Sequence, residues 1–352
     1  MSFHNTTVLL IGSLLIGTGA IAQQAPDSAA TAKKKKYAPK ISGVIQAHYL
    51  EEFNTNGDTI RDPGGFRILR ARLTAKGKVS KNVTYEVMID PRAPEPRGLL
   101  RDAFVGLQHI KDQEIRIGQQ KTQFGWENRQ SITDLYTVNR AEMSDGVSRG
   151  ENLRDIGIGI IGHIKLNDRW RIEDAATFTN GTRINVAGPF DFNPKKALWG
   201  RLGVRYKQDA LELNAGGSFG TGGFRRLGAD LIDPVDDIYS DFTSYGVDAQ
   251  LEHKWFFIAA EYGAGEEVVA DTLFDAPLGY QALLAVKTKW KAGPVVRYDS
   301  YQDEWSVWTF GLYYGEKNAP LRVLLNYMVR SGVTDIPEGH DDRLYVQLQV
   351  VF

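Results

Sequence analysis

Phe66-Arg67-Ile68-Leu69-Arg70-Ala71-Arg72-Leu73-Thr74-Ala75-Lys76-Gly77-Lys78 alternates with a period of two. Leu69, Ala71, Leu73 and Ala75 fall on one face of an extended chain, and Arg70, Arg72, Thr74, Lys76 and Lys78 on the other. Successive side chains of a strand point to opposite sides, so the segment predicts a strand with one apolar and one cationic face. The same alternation recurs along the chain. Val83, Tyr85, Val87 and Ile89 oppose Thr84, Glu86, Met88 and Asp90; Ile156, Ile158, Ile160 and Ile164 share a face; Leu321, Val323, Leu325, Tyr327 and Val329 oppose Arg322, Asn326 and Arg330. From Ile41 onward there are about sixteen such segments, an even number within the range of single-chain outer-membrane barrels.

The connections alternate as well. Short turns at Lys81-Asn82, Lys111-Asp112, Asn167-Asp168, Lys207-Gln208-Asp209, Lys254 and Lys291-Ala292-Gly293 intervene between long polar stretches. The long stretches are 52–64, 91–98, 122–152, 180–195, 221–240, 263–277 and 331–341; 299–304 is intermediate and 315–319 short. Short turns at one end and long loops at the other are the arrangement of a transmembrane up-and-down barrel, with the short turns in the periplasm. A soluble β-sandwich gives no reason for strict alternation of loop length.

Composition narrows the classes. The chain has 352 residues, 36 glycines, no cysteine and a formal net charge of −1. Near-neutral charge argues against a nucleic-acid binder, and the lack of Cys rules out disulfides and thiolate metal sites. Mean hydropathy is −0.31, and no apolar run approaches the roughly 20 residues of a membrane helix. A barrel remains open, because alternating strands average to moderate hydropathy.

Both ends carry signals. Val8–Ile16 has the length of a signal-peptide core and is followed by Ala20-Ile21-Ala22, so 1–22 is expected to be a cleavable signal peptide with Gln23 as the first mature residue. The segment before the core has no Lys or Arg, only His4. Residues 23–40 carry Lys33-Lys34-Lys35-Lys36, four adjacent like charges that predict a disordered periplasmic tail; the barrel domain is expected over 41–352. At the other end, Leu344, Val346, Leu348, Val350 and the terminal Phe352 form one face of an alternating strand. This terminal aromatic strand resembles the signal read by the outer-membrane barrel assembly machinery. Tyr49, Trp170, Tyr206, Phe219, Trp255, Tyr262, Tyr280, Trp290 and Tyr327 are candidates for aromatic belts at the lipid headgroups.

Several stretches resemble the phosphate-selective porin (porin O and P) family. They are Ile41-Ser42-Gly43-Val44-Ile45-Gln46, Phe66–Leu73, Arg101-Asp102-Ala103-Phe104-Val105-Gly106, Gly118–Gly125, Asn180-Gly181 and Arg297-Tyr298-Asp299, in order along the mature chain. The resemblance implies a sixteen-stranded barrel, a homotrimer, and basic residues that guide anions, phosphate among them, through a constriction. A dense lysine cluster and a long arginine ladder mark the phosphate channels of that family; here the basic face of Arg70, Arg72, Lys76 and Lys78 is present, and a full ladder cannot be traced.

If the apolar faces meet lipid, the others line water. The expected lumen-facing, anion-binding bases are Arg70, Arg72, Lys76, Lys78, Arg201, Arg205, Lys287, Lys289, Arg297, Arg322 and Arg330. The expected lumen acids are Glu86, Asp90, Asp102, Glu173, Asp248, Glu261 and Asp299. Such mixed charge fits either a transverse field across the pore or a set of mutual ion pairs. The long segment 122–152 fits either an inward fold that narrows the pore or an exposed external loop; its constriction candidates are Lys121, Arg129, Arg140 and Arg149.

Other motifs carry less. Gly157-Ile158-Gly159-Ile160-Ile161-Gly162 matches a dinucleotide pattern, but its glycines sit inside a strand followed by another strand. The six histidines show no metal spacing, and no cofactor is expected. The chain is therefore expected to be a non-enzymatic outer-membrane porin for passive diffusion of small anions. The alternatives are a general or weakly selective pore for small polar solutes, a barrel enzyme, and a soluble exported β-protein.

Overall fold

The computed structural model describes residues 37–53, 64–92, 98–148, 154–181, 195–226, 238–269, 271–302, 305–317, 319–332 and 342–352. The expected signal peptide, most of the lysine-rich tail and Arg149 lie outside the described residues. The strands are β1 (Lys40–Phe53), β2 (Gly65–Lys78), β3 (Val83–Ile89), β4 (Leu100–Leu107), β5 (Gln113–Lys121), β6 (Arg154–Lys165), β7 (Trp170–Thr179), β8 (Ala197–Gln208) and β9 (Leu211–Arg226). They continue with β10 (Ile238–Glu252), β11 (Phe256–Val269), β12 (Thr272–Asp275), β13 (Leu278–Val286), β14 (Ala292–Tyr301), β15 (Trp305–Tyr314), β16 (Leu321–Gly332) and β17 (Asp342–Val351). One short helix, α1 (Glu142–Val147), lies between β5 and β6.

Each strand pairs antiparallel with its sequence neighbours, and β1 pairs with both β2 and β17. β12 adds only to the end of β11, which passes on to β13. The result is a closed ring of sixteen strands. The seam runs from Val44↔Val351 to Phe53↔Asp342. Past it, Gly43 and Phe352 exchange backbone hydrogen bonds of 2.7 and 3.0 Å. The ring of Phe352 lies over Gly43, where a Cβ would stand 2.5 Å from the phenyl Cζ.

Burial is inverted relative to a water-soluble protein. Leu202 (63%), Ile41 (61%) and Val247 (59%) are exposed on the outer wall, while Arg322 (0%) and Arg297 (1%) point inward and are buried. Only a lipid-facing exterior makes both stable. Aromatic rings gather at both ends of the strands. Trp170 and Tyr206 pack 4.7 Å apart near the short turns, where Trp255 and Trp290 are also exposed; Tyr49–Phe66 (5.1 Å) and Tyr298–Trp308 (4.8 Å) lie toward the long loops.

Several sequence expectations change. β9 and β10 extend into the expected loop 221–240, and β11 and β12 occupy much of the expected loop 263–277. The turn between β13 and β14 occupies 287–291, with Lys291 in the left-handed region (φ 59°), rather than starting at Lys291. In β2 the register slips between Gln46 and Ala47: Gln46 faces Arg70 and Ala47 faces Ile68. Leu69 is the extra residue, and it packs inward against buried apolar side chains while Ile68 and Phe66 take the outer face. A bulge shifts the alternation by one, which a period-two reading cannot register.

Gly118 offers a local test. Its φ is +131°, and a Cβ there would lie 2.2 Å from the backbone oxygen of Ala103. At Gly200 the nearest atom to such a Cβ is 3.6 Å away. Gly118→Ala is expected to cost about 2–3 kcal/mol, and Gly200→Ala to stay within about 0.5 kcal/mol. Urea unfolding in lipid vesicles, followed by tryptophan fluorescence, measures both; equal midpoints would contradict the strain.

Candidate functional site

The segment after β5 turns into the barrel. It is too apolar for a surface loop: Phe124, Ile132, Leu135, Tyr136, Val138, Ala141, Met143 and Val147 are all buried. They pack on two apolar patches of the inner wall. Phe124 meets Trp199 of β8 edge-on (5.7 Å), and Trp199 stacks on Phe242 of β10 (4.7 Å). Tyr136 and Val138 join Phe257, Leu283, Val295, Val307, Tyr313 and Leu324 on β11 to β16. Each such side chain removed from water contributes roughly 1.5–3 kcal/mol.

Polar pins fix the segment between these patches. Val138 N donates to Asn326 Oδ1 (2.7 Å), Gly125 N to Ser218 Oγ (3.0 Å) and Glu142 N to Asp299 Oδ1 (3.0 Å). Trp126 N and Glu127 N both donate to the carboxylate of Glu261 (2.9 and 3.2 Å). Arg297 Nη1 donates to Thr137 Oγ1 (3.0 Å) and Asn139 O (2.8 Å), and Arg322 Nη1 donates to Thr133 O. These partners belong to the inner faces of β9, β11, β14 and β16, so of the two placements left open by the sequence the inward fold is the one adopted.

This placement reassigns several expected pore-lining bases. Arg297 and Arg322 do not face open water; they are anchors beneath the inward segment. Arg140 braces the segment internally, donating to Glu127 O (3.1 Å) and Gln130 O (2.7 Å). Arg330 pairs with Glu142 at the start of α1 (2.8 Å). Lys289 sits in the β13–β14 turn, exposed, with its ammonium 5.2 Å from the Trp290 ring. Lys287, also past the end of β13, pairs with Glu252. Lys78 is the exposed last residue of β2.

The remaining bases face the lumen, mostly paired. Arg201 binds Asp248 through two bonds (2.9 and 2.5 Å), and Arg205 binds Glu212 (2.5 Å). Arg72 holds Asp90 at 2.8 Å, and Arg70 donates to Gln46 Oε1 at 3.0 Å. Two bases the sequence reading did not select belong with them. Arg154 grips Asp102 through two bonds (2.9 and 3.0 Å), and Arg116 holds Glu114 (2.6 Å). Arg116 was legible from its alternation with Ile115 and Ile117; Arg154 opens β6 directly after the long segment and carries no local pattern. Where the sequence left a transverse field or ion pairs for the lumen acids, Asp90, Asp102 and Asp248 are ion-paired.

A water-accessible space lies between the inward segment and β1–β6. It is a cavity of about 500 Å³, lined by the bases Arg72, Lys76, Arg116, Lys121, Arg129 and Arg154 and by the acids Glu86 and Asp102. Lys121 and Arg129 are held by uncharged acceptors, unlike Arg72, Arg116 and Arg154. Lys121 Nζ donates to Asn128 O (2.9 Å) and Gln130 O (2.8 Å), and Arg129 Nε to Gln123 Oε1 (2.9 Å). Their charge is thus fixed in position and left to act on the lumen.

Residues 40–185 match the family model described as phosphate-selective porin O and P, a stretch that includes β1 to β7 and the inward segment. The resemblance read from the sequence therefore holds over that stretch. No curated protein matches the chain in sequence. Solved structures match in fold. An anion-selective porin from Comamonas acidovorans has a TM-score of 0.61 at 11% identity, covering 90% of this chain and 99% of that one. Salmonella typhi OmpF in complex with daunomycin gives 0.57 at 15% identity (91% and 99%). An in-vitro folded trimer form of OmpT, an outer membrane protein of Vibrio cholerae, gives 0.56 at 12% identity (90% and 99%).

The anchors predict their own removal. Arg297→Met leaves Glu127 and Asp299, each within 3.6 Å of the guanidinium, without their buried cation. The expected cost to docking of the segment is about 3 kcal/mol, read as a larger and noisier single-channel conductance than that of the wild type. A conductance identical in size and noise would show that Arg297 does not hold the segment.

Proposed function

We propose that the chain forms a water-filled outer-membrane channel through which small anions diffuse passively. The observation that carries this is the lining of the open cavity, where six basic side chains face two acidic ones. A low-dielectric wall focuses the field of such a ring into the lumen and raises the local concentration of anions. Lys76, Lys121 and Arg129 are the selecting charges in this reading, because among the described residues no carboxylate forms an ion pair with them. Inorganic phosphate is one member of the solute class. A homotrimer is the proposed assembly, on the family resemblance and on the trimer form of the OmpT structure. Export by the N-terminal signal, a periplasmic lysine-rich tail, and insertion by the barrel assembly machinery through the Leu344–Phe352 strand belong to the same proposal.

A general pore for small polar solutes is the second reading. It is favoured by the pairing of Arg72, Arg116 and Arg154 with Asp90, Glu114 and Asp102, which cancels part of the basic excess.

Planar-bilayer recordings in a salt gradient separate the two. The wild type is expected to give an anion-signed reversal potential. Lys121→Gln and Arg129→Gln each weaken it, removing about 1 kcal/mol of attraction for a monovalent anion at contact distance. The preference also falls between 0.1 and 1 M salt, as the screening length shrinks from about 10 to about 3 Å. A potential near zero favours the general pore, and a cation-signed one refutes the anion assignment.

A further inference from the structure

We infer that the cavity between the inward segment and β1–β6 is a binding subsite for anions that carry an apolar body, such as aryl or alkyl phosphates and carboxylates. This deepens the anion-channel reading and rests on it. The same cavity that gathers the bases is lined by Val44, Met88, Phe104, Ile132, Ile161 and Val351. Five of these are inward-facing wall positions on β1, β3, β4, β6 and β17, and the sixth lies on the inward segment. Alternation makes lumen positions polar wherever a barrel only has to hold water, so apolar side chains at five of them depart from what a purely aqueous pore requires.

They also lie next to charge. Val44 is in register with Arg72, and Met88 is in register with Asp102, whose carboxylate carries Arg154. Phe104 is in register with Glu86 and lies 4.6 Å beneath the guanidinium of Arg116. Ile132 follows three residues after Arg129 on the facing side. A small hydrated anion such as phosphate gains nothing from this greasy surface and loses water beside it. An anion with a ring or short chain can place its charge toward Lys121 and Arg129 and its body against Phe104 and Ile132. Recognition by a mostly apolar pocket with a few fixed charges is the usual form of a small-ligand site.

The test compares two dianions that differ by a phenyl ring. Inorganic phosphate and phenyl phosphate are titrated against the potassium chloride current of the full mature chain in planar bilayers. The pH is about 8.5, above the second ionisation of a phosphate monoester. The expected result is half-block by phenyl phosphate at about one tenth of the concentration needed for phosphate, the effect of partly burying one ring. Phe104→Ser is expected to bring the two concentrations together. Ile132→Ser makes the same test without altering a strand, should the β4 variant fail to fold. Equal half-block concentrations in a channel with an anion-signed reversal potential overturn the subsite and leave the anion channel standing. A preference for phenyl phosphate that survives both substitutions overturns it as well. A cation-signed reversal potential defeats the channel reading and the subsite together.

Discussion

Inside a bilayer a backbone amide has no water to bond, so every strand needs a hydrogen-bonding neighbour on both edges. The structure depends on that constraint at one place above all, the seam between the first strand and the last. Ten register pairs join β1 to β17, and the Gly43–Phe352 bonds extend the join by one more step. Once the ring is closed, alternation assigns every side chain to lipid or lumen, and the two solvents dictate what each position tolerates. The exposed leucines and isoleucines outside and the buried arginines inside are two consequences of one closure.

The lumen then sets a second problem, since sixteen strands enclose more space than side chains fill. The protein solves it unevenly. On the side of β8 to β17 the inner wall is partly apolar and receives the inward segment, with Arg297, Arg322, Asn326 and Glu261 supplying bonds its backbone would otherwise lack. On the side of β1 to β6 the wall stays open to water and sets charged side chains beside Val44, Met88, Phe104 and Ile161. Pairs such as Arg154–Asp102 fix side chains in place at little net charge, and the excess is concentrated at Lys76, Lys121 and Arg129. Position and charge are thus handled by different residues: the anchoring arginines shape the opening, and the bases outside ion pairs colour its field.

Alternation and loop length were enough to read the fold from the sequence, because lipid and water impose their pattern on every strand independently. Phe66–Lys78 shows both the strength and the limit of that reading. Its arginines face the lumen as the pattern requires, but Leu69 does not face lipid, because the bulge opposite Gln46 and Ala47 depends on a partner strand that local sequence does not reveal. The site was less legible for a related reason. Arg297 and Arg322 look the same as Arg72 in their strands; only the inward segment, seated against them from more than 150 residues away, turns them from pore lining into anchors. Lys289 was misplaced by a turn boundary, and Arg154 was missed because its partner Asp102 is two strands distant.

The anchoring of the inward segment also has a bearing on the order of folding. Thr133 O accepts bonds from Arg322 and Gln349, and Val138 N donates to Asn326, contacts that span 189, 216 and 188 residues. Contacts of such long range form only after the intervening chain has been organised, because closing so large a loop early carries an entropic cost with little gained in return. The segment that narrows the channel therefore has its full seat only when β16 and β17 join the contacts it makes on β8 to β11. On that reasoning the constriction reaches its final form only as the seam between the first and last strands closes.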